Sequence, residues 1–358
     1  MNKSGFLVLS SLLMAPFCVQ AQAPDPSSIA PMIINGDHAE VSNYPYFASL
    51  YFDRISETGY YGNICGATVY NQNYILTAAH CVDQSNDGYQ NLFLKVAVGV
   101  QYEKAGVQGG YNSNQAIAIS EIYRHSEFKN DADLLFPNDI AVVKLASPIP
   151  TSLVDPRDYI EANLITQEQL NANTYRNANA NLRIIGHGKS TPIGGGLVVD
   201  DAEQLEKADV RYTDVCNKHG QTGSKKICII SDLEQDGGLQ RYRSACSGDS
   251  GGPLLWLDGA NYQQVGIASY AAKDCGSQFD PKGTPYNYAS AYTDLFSYLP
   301  WIKEVVTKSK PHEPSFVVTE SAKAVFKSSA TGSEGGSLGL FGLVSLILFA
   351  GIRRQHGL

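Results

Sequence analysis

The stretch CSGDSGGPLLW, Cys246 to Trp256, sets an acid and a serine side by side among glycines. Gly-Asp-Ser-Gly is also ordinary turn vocabulary, because Gly supplies positive φ and Asp and Ser bond to their own backbone. A reactive serine differs from a plain turn by chemistry supplied from elsewhere in the chain. Its hydroxyl is a poor nucleophile until a base takes the proton, and a histidine base needs a carboxylate to fix its tautomer and steady its cation. Of the 7 histidines, His80 sits in LTAAHCV, directly after the apolar run 74–76. Asp139 sits in NDIAVVKL, at the head of another apolar run, and Ser250 sits in GDSGGP. The chain order is His, Asp, Ser.

The surrounding sequence predicts a β protein. The chain has 358 residues, only 17% of them charged, with 33 Gly and 21 Tyr, which favours a compact, turn-rich domain over disorder. Short apolar runs are divided by Gly, Asn and Asp from residue 33 to about 308. Strands are predicted at 46–52, 67–70, 74–76, 93–99, 140–145, 182–186, 265–269 and 288–292. Many short strands with turn signals point to an all-β barrel or sandwich. Leu299, Ile302 and Val306 recur at helical spacing, so the domain is expected to close with a helix. A net charge of −8 argues against a nucleic-acid partner.

Residues 1–23 read as a secretory signal: Lys3, an apolar stretch over 6–19, and the small-x-small site Ala21-Gln22-Ala23. A lipid-modified Cys18 is not expected, because bulky Phe17 precedes it. Cys18 leaves with the signal, so 6 of the 7 cysteines remain, an even set that in an exported chain points to three disulfides. Six cysteines allow fifteen pairings, and the sequence alone does not choose among them. Residues 24–32, PDPSSIAPM, are Pro- and Ser-rich and expected to be extended and exposed. No cysteine or histidine cluster has metal-ligand spacing, no calcium loop is evident, and no cofactor is expected.

Three separated motifs in the order Thr77-Ala78-Ala79-His80-Cys81, Asn138-Asp139-Ile140-Ala141 and Gly248-Asp249-Ser250-Gly251-Gly252-Pro253 resemble those of the trypsin/chymotrypsin family of serine endopeptidases. The resemblance covers about 33–308. It implies two six-stranded antiparallel β-barrels with a C-terminal helix and a site in the cleft between the barrels. It further implies Ser250 as nucleophile, His80 as general base and then acid, and Asp139 as the group that orients His80. The backbone N–H groups of Gly248 and Ser250 would form the oxyanion hole, where one lost donor typically costs about 3 kcal/mol of transition-state stabilisation. Cleavage after a propeptide, residues 24–32, would free an amine on Ile33 in IING to pair with Asp249. The implied disulfides are Cys65–Cys81, Cys216–Cys228 and Cys246–Cys275.

By the same resemblance, Ser244 stands at the base of the substrate pocket, where trypsin-like members carry an Asp. Ser269, Tyr270 and Ala271 resemble the substrate-binding strand, with Ala271 in place of a usual Gly. Tyr286 falls where many members have Gly. This favours apolar or small P1 residues over Arg or Lys, although Asp274 or Asp280 could restore basic specificity. Met32 before Ile33 is not a tryptic site, which points to self-activation or a non-tryptic activator. Gly186-His187-Gly188 replaces a common Gly-Trp-Gly, and His187 is expected to be structural. Segments 101–117, 190–201 and 229–243 read as enlarged loops around the cleft.

Residues 309–334 are polar, contain Pro311 and Pro314, and read as a linker. The end, 335–358, holds an apolar run over 338–352 and then Arg353-Arg354. As a helix that run is about 22 Å long, a marginal span of a bilayer core of about 30 Å. Gly335-Gly336-Ser337 with this run and the arginine pair resembles the glycine-glycine sorting signals of Gram-negative bacteria. That likeness implies type II secretion, a rhomboid-type sorting protease acting near the glycines, and a secreted or surface-anchored product whose membrane contact precedes processing; a plain membrane anchor is the rival. The functional rival to a protease acting on polypeptides is a secreted pseudoprotease or adhesive module that keeps the fold without catalysis.

Overall fold

The computed structural model describes residues 33–83, 89–172, 174–188, 204–216, 225–236, 239–259, 261–272 and 275–324. Its strands run in chain order β1 (Asp37–His38), β2 (Phe47–Arg54), β3 (Tyr60–Asn71), β4 (Tyr74–Thr77), β5 (Leu94–Val98), β6 (Ile117–Arg124) and β7 (Ala141–Leu145). There follow β8 (Leu182–Gly186), β9 (Glu206–Thr213), β10 (Lys226–Ile230), β11 (Leu233–Asp236), β12 (Leu239–Tyr242), β13 (Pro253–Asp258), β14 (Asn261–Ala271), β15 (Ser290–Asp294) and β16 (Phe316–Val317).

Two closed barrels result. In the first, β6-β5-β2-β3-β4-β7 are neighbours and β7 returns to pair with β6. In the second, β9-β10-β15-β14-β13-β8 are neighbours and β8 returns to β9. All these pairings are antiparallel, as connections without crossover helices require. Closure leaves no bare sheet edge among the twelve strands. The two remaining pairings to these sheets cross over. β1 adds to β9 of the second barrel, and β16 adds to β6 of the first.

The strands form where the local pattern lets one face be buried. In β9, Glu206, Ala208 and Val210 are buried while Asp209 and Arg211 are exposed, a period of two. In β4 every residue of Tyr-Ile-Leu-Thr is buried, because the strand is covered on both faces. The second barrel has a core cluster of its own around Ile184, Ile227 and Leu254, and the barrels also meet in a shared one. Leu255 and Ile267 of the second pack in the same cluster as Leu76, Val142 and Ile140 of the first. The closing helix, Leu299–Thr307, buries Leu299, Ile302 and Val305 in that cluster. Val306 of the expected helical stripe is only partly buried there.

The expected segment 229–243 is not a simple loop, since β11 and β12 make a separate antiparallel hairpin within it. The expected loop 190–201 lies outside the described residues. The ordered domain continues past residue 308 into the stretch read as a linker. There Phe316 pairs with Ile122 and Val317 with Glu121, and the Ser315 hydroxyl donates to the Ile122 carbonyl at 3.0 Å. The signal and propeptide readings at 1–32 and the apolar helix expected over 338–352 lie outside the described residues. Among the described residues no helix is long and apolar enough to cross a membrane.

Candidate active site

The site lies where the barrels meet. His80 follows β4, Asp139 precedes β7, and these strands are direct neighbours, with Thr77 opposite Ala141. That pairing sets the two side chains together. His80 Nδ1 donates to Asp139 Oδ2 at 2.8 Å, and the His80 backbone N–H donates to Asp139 Oδ1 at 2.9 Å. Asp139 is 0% exposed, and the Tyr298 hydroxyl donates to Asn138 Oδ1 next to it at 2.9 Å. Burial pushes the Asp139 carboxyl up. The charge and hydrogen bond of His80, with Lys226 and the Ser269 hydroxyl behind it, more than offset that and hold it below the usual carboxylate range.

Ser250 comes from the second barrel, in the turn before β13. Its carbonyl accepts from Gly66 N on β3 at 2.7 Å. The first barrel therefore seats the serine turn directly. This contact explains the glycines. At Gly251, φ is +80°, and a Cβ would lie 2.2 Å from Thr77 Oγ1 and 2.4 Å from the Gly66 carbonyl oxygen. No side chain fits there. His80, Gly248 and Ser250 line one cleft together with Cys65 and Cys81. His80 and Ser250 are not hydrogen-bonded to each other in this structure.

Asp249 points the other way, into the second barrel, and is fully buried. Its Oδ1 accepts from Gly188 N at 2.7 Å and its Oδ2 from Cys246 N at 2.9 Å. Gly188 has no room for a Cβ, which would stand 2.2 Å from Oδ2. Burial pushes this carboxyl up to about 7, against the pull of the two N–H donors and with a further push from Glu206. Ile33 is also 0% exposed, in the core with Ile184, Ala245 and Leu254, and Ile34 N donates to the Ser244 carbonyl at 3.0 Å. In the continuous chain Ile33 is joined to Met32, so it offers Asp249 no ammonium.

Beside Ser250 opens a second cavity, lined by Ala245, Ser269, Tyr270, Ala271 and Ala272 among others. Ser244 and Tyr286 do not line it. Ser244 is 0% exposed, and its hydroxyl lies within bonding reach of the Ala245 carbonyl at 2.8 Å and the Ala289 carbonyl at 3.2 Å. Tyr286 packs edge-on against Tyr288, with Ala272, in a small apolar cluster. Asp280 does not reach in either, because its Oδ1 caps the turn by accepting from Lys282 N and Thr284 N. Asp274 lies outside the described residues.

The six cysteines pair as Cys65–Cys81, Cys216–Cys228 and Cys246–Cys275. Cys65, His80 and Cys81 bring their donor atoms within 4.8 Å of one another, yet both sulfurs are committed to a disulfide and carry no thiolate for a metal. His187 bridges the barrels: Nδ1 is 3.4 Å from the Ser49 hydroxyl and Nε2 3.3 Å from the Gln101 carbonyl. Burial lowers its pKa to about 4, against the carbonyl's pull, so it sits neutral and structural.

Sequence reasoning missed Lys226 and Thr293. Thr293 Oγ1 donates to the Asp139 carbonyl at 2.9 Å, and Lys226 Nζ reaches Ser269 and Thr293 together. The only signal for Lys226 is that it is the second of two lysines entering the apolar run Ile-Cys-Ile-Ile, which reads equally as a solvated strand end.

Two closed barrels, with a buried aspartate behind a histidine and a serine across the same cleft, define a two-barrel serine protease. The chain belongs to the trypsin family: that family's sequence model, described as Trypsin, matches residues 33–302. It is 29% identical over 273 residues to Trypsin-1 of Astacus astacus, covering 76% of this chain and 98% of that one. It is 26% identical over 279 residues to chymotrypsin-like elastase family member 1 of Homo sapiens, covering 77% and 93%. A third relative, the venom peptide isomerase heavy chain of Agelenopsis aperta, is 26% identical over 282 residues, covering 76% and 99%.

Proposed function

We propose that this chain is an exported serine endopeptidase made as a zymogen. The observation that carries the reading is the buried Asp139–His80 pair at 2.8 Å, with His80 lining the same cleft as Ser250. Ser250 Oγ attacks the scissile carbonyl while His80 Nε2 takes its proton. Nδ1–H stays bonded to Asp139, which stabilises the imidazolium. The N–H groups of Gly248 and Ser250 hold the oxyanion. Collapse of the tetrahedral adduct breaks the C–N bond, and the leaving amine takes the proton from Nε2. Water then repeats the sequence on the acyl-enzyme and frees Ser250.

Activation is cleavage of the Met32–Ile33 bond, which supplies an ammonium for the buried Asp249. A cavity with no charged side chain among its described lining supports apolar or small P1 residues rather than Arg or Lys. The leader over 1–23 and the 335–358 tail support export from a Gram-negative cell by type II secretion. A rhomboid-type protease then trims the tail near Gly335–Gly336, and the product is released or surface-anchored. The mass of the mature C-terminus distinguishes trimming from a retained anchor.

The decisive experiment is labelling with an active-site organophosphonate. The matured protein is expected to take one equivalent on Ser250, and Ser250→Ala none. A matured, folded protein that takes no label is the binding module, not the protease. Mixing a Ser250→Ala precursor with mature enzyme reads the activation site, and an intact Met32–Ile33 bond excludes self-activation in trans.

A further inference from the structure

Behind the catalytic aspartate the barrel buries a lysine. Lys226 opens β10 directly opposite Thr293 of β15 and is only 4% exposed. Its ammonium donates to Ser269 Oγ at 2.8 Å and Thr293 Oγ1 at 3.1 Å. Each hydroxyl has one proton, and each gives it to Asp139. Ser269 donates to Oδ2 at 2.6 Å and Thr293 to the backbone carbonyl at 2.9 Å. The donor directions in this chain are therefore fixed by the ammonium, which cannot accept. Without it either hydroxyl is free to turn away and donate elsewhere.

We propose that Lys226 is a positioning residue of the catalytic machinery: its buried ammonium locks the Ser269 and Thr293 hydroxyls onto Asp139 and so holds that carboxylate in place for His80. The inference rests on the protease reading for its catalytic meaning, but the network itself does not. A buried cation is costly unless paired, and here it is paired one hydroxyl away from the carboxylate. Burial lowers the lysine to about 8, against the pull of Asp139.

The other groups around the ammonium do not supply a competing charge. Asp294 on β15 is held by Arg176 at 2.7 Å, whose other nitrogen donates to the Lys226 carbonyl. On β14 the Tyr270 ring lies 5.6 Å from Nζ, and burial keeps its phenol neutral. Tyr292, next along β15, is likewise held neutral by burial. Near the closing helix, Tyr298 is raised by burial, and neighbouring Lys225 faces that ring, not Asp139. His80 itself faces Asp139 on one side and the Cys65–Cys81 disulfide on the other.

The test reads the hydroxyl protons directly, by NMR of the full-length protein, and needs no activity. In the unaltered protein the Ser269 and Thr293 hydroxyl protons are held between the ammonium and Asp139, so both are expected as slowly exchanging resonances. In Lys226→Met both are expected to exchange at least about tenfold faster. Lys226→Gln, which keeps a donor without the charge, is expected to lie between the two and replaces the Met variant should that one not fold. In the matured enzyme Lys226→Met is expected to lower kcat about tenfold with KM little changed. Hydroxyl exchange unchanged within about twofold in a folded variant overturns the proposal. Failure of organophosphonate labelling with the hydroxyls still protected would instead remove the protease reading and leave the network standing.

Discussion

The buried Asp249 makes the uncleaved chain sensitive to pH in a direction opposite to most carboxylates. Its folded pKa is raised to about 7 from 3.8, so between those values the folded chain holds a proton that the unfolded chain has lost. The stability it contributes is fully present below about pH 4 and is lost as pH rises through about 7. Three pH units at about 1.4 kcal/mol each give on the order of 4 kcal/mol. That is a large share of a stability of roughly 5–15 kcal/mol. The perturbation is Asp249→Asn in a chain kept uncleaved by Ser250→Ala, whose urea unfolding is followed from pH 4 to 8 with disulfides intact. Asn carries no titrating proton, so the difference between the two chains isolates this group. His187 acts oppositely, losing stability as pH falls from 6.5 toward 4, but it is common to both chains and cancels. The Asp249 chain is expected to lose up to about 4 kcal/mol relative to the Asn chain on going from pH 4 to 7.5. Parallel pH profiles would falsify the assignment. Cleavage at Met32–Ile33 should then invert the slope, because the new ammonium favours the carboxylate.

Other outcomes can be read more briefly. His80→Ala and Ser250→Ala are each expected to lower kcat by about 10⁴–10⁶ with KM little changed, measured on a peptide ester. His187→Phe should flatten the loss of stability between pH 6.5 and 4, worth about 3 kcal/mol, in acid-unfolding curves. Replacing Cys246 and Cys275 together by Ala should cost about 2–4 kcal/mol in urea melts and loosen Ile34, which packs on that disulfide. Ser244→Asp places a carboxylate between the Ala245 and Ala289 carbonyls. It should lower Tm by several degrees and should not create cleavage after Arg in a peptide library.

Much of the fold and site was legible in the sequence where chemistry and pattern coincide. The strands at 74–76, 140–145 and 182–186 announce themselves as mostly apolar runs, broken only by Lys144 and Arg183, and appear as β4, β7 and β8. β9, Glu-Lys-Ala-Asp-Val-Arg-Tyr-Thr, escaped because charged residues fill the outward face of a half-buried strand, and β6 because a register shift between Ile119 and Glu121 breaks its alternation. β16 escaped because two residues carry no period at all. At the site, His80, Asp139 and Ser250 could be found because each sits in a distinctive local run. Lys226 could not, since its meaning comes from Thr293 opposite and Ser269 one strand further on. Ser244 and Tyr286 show the converse. A position read along a sequence fixes neighbourhood but not which way a side chain turns, and both turn into packing instead of the cavity.

The exchange of chain ends between barrels has a mechanical consequence. β1 is stitched to the second barrel and β16 to the first. A pull on the tail beyond residue 324 is therefore delivered to the outer flank of β6. There a two-residue strand and the Ser315 hydroxyl take the load a few bonds at a time, as in peeling tape. Such a seam opens a few bonds at a time while the closed staves beside it hold, so load on the tail reaches the barrels only after β16 has peeled away.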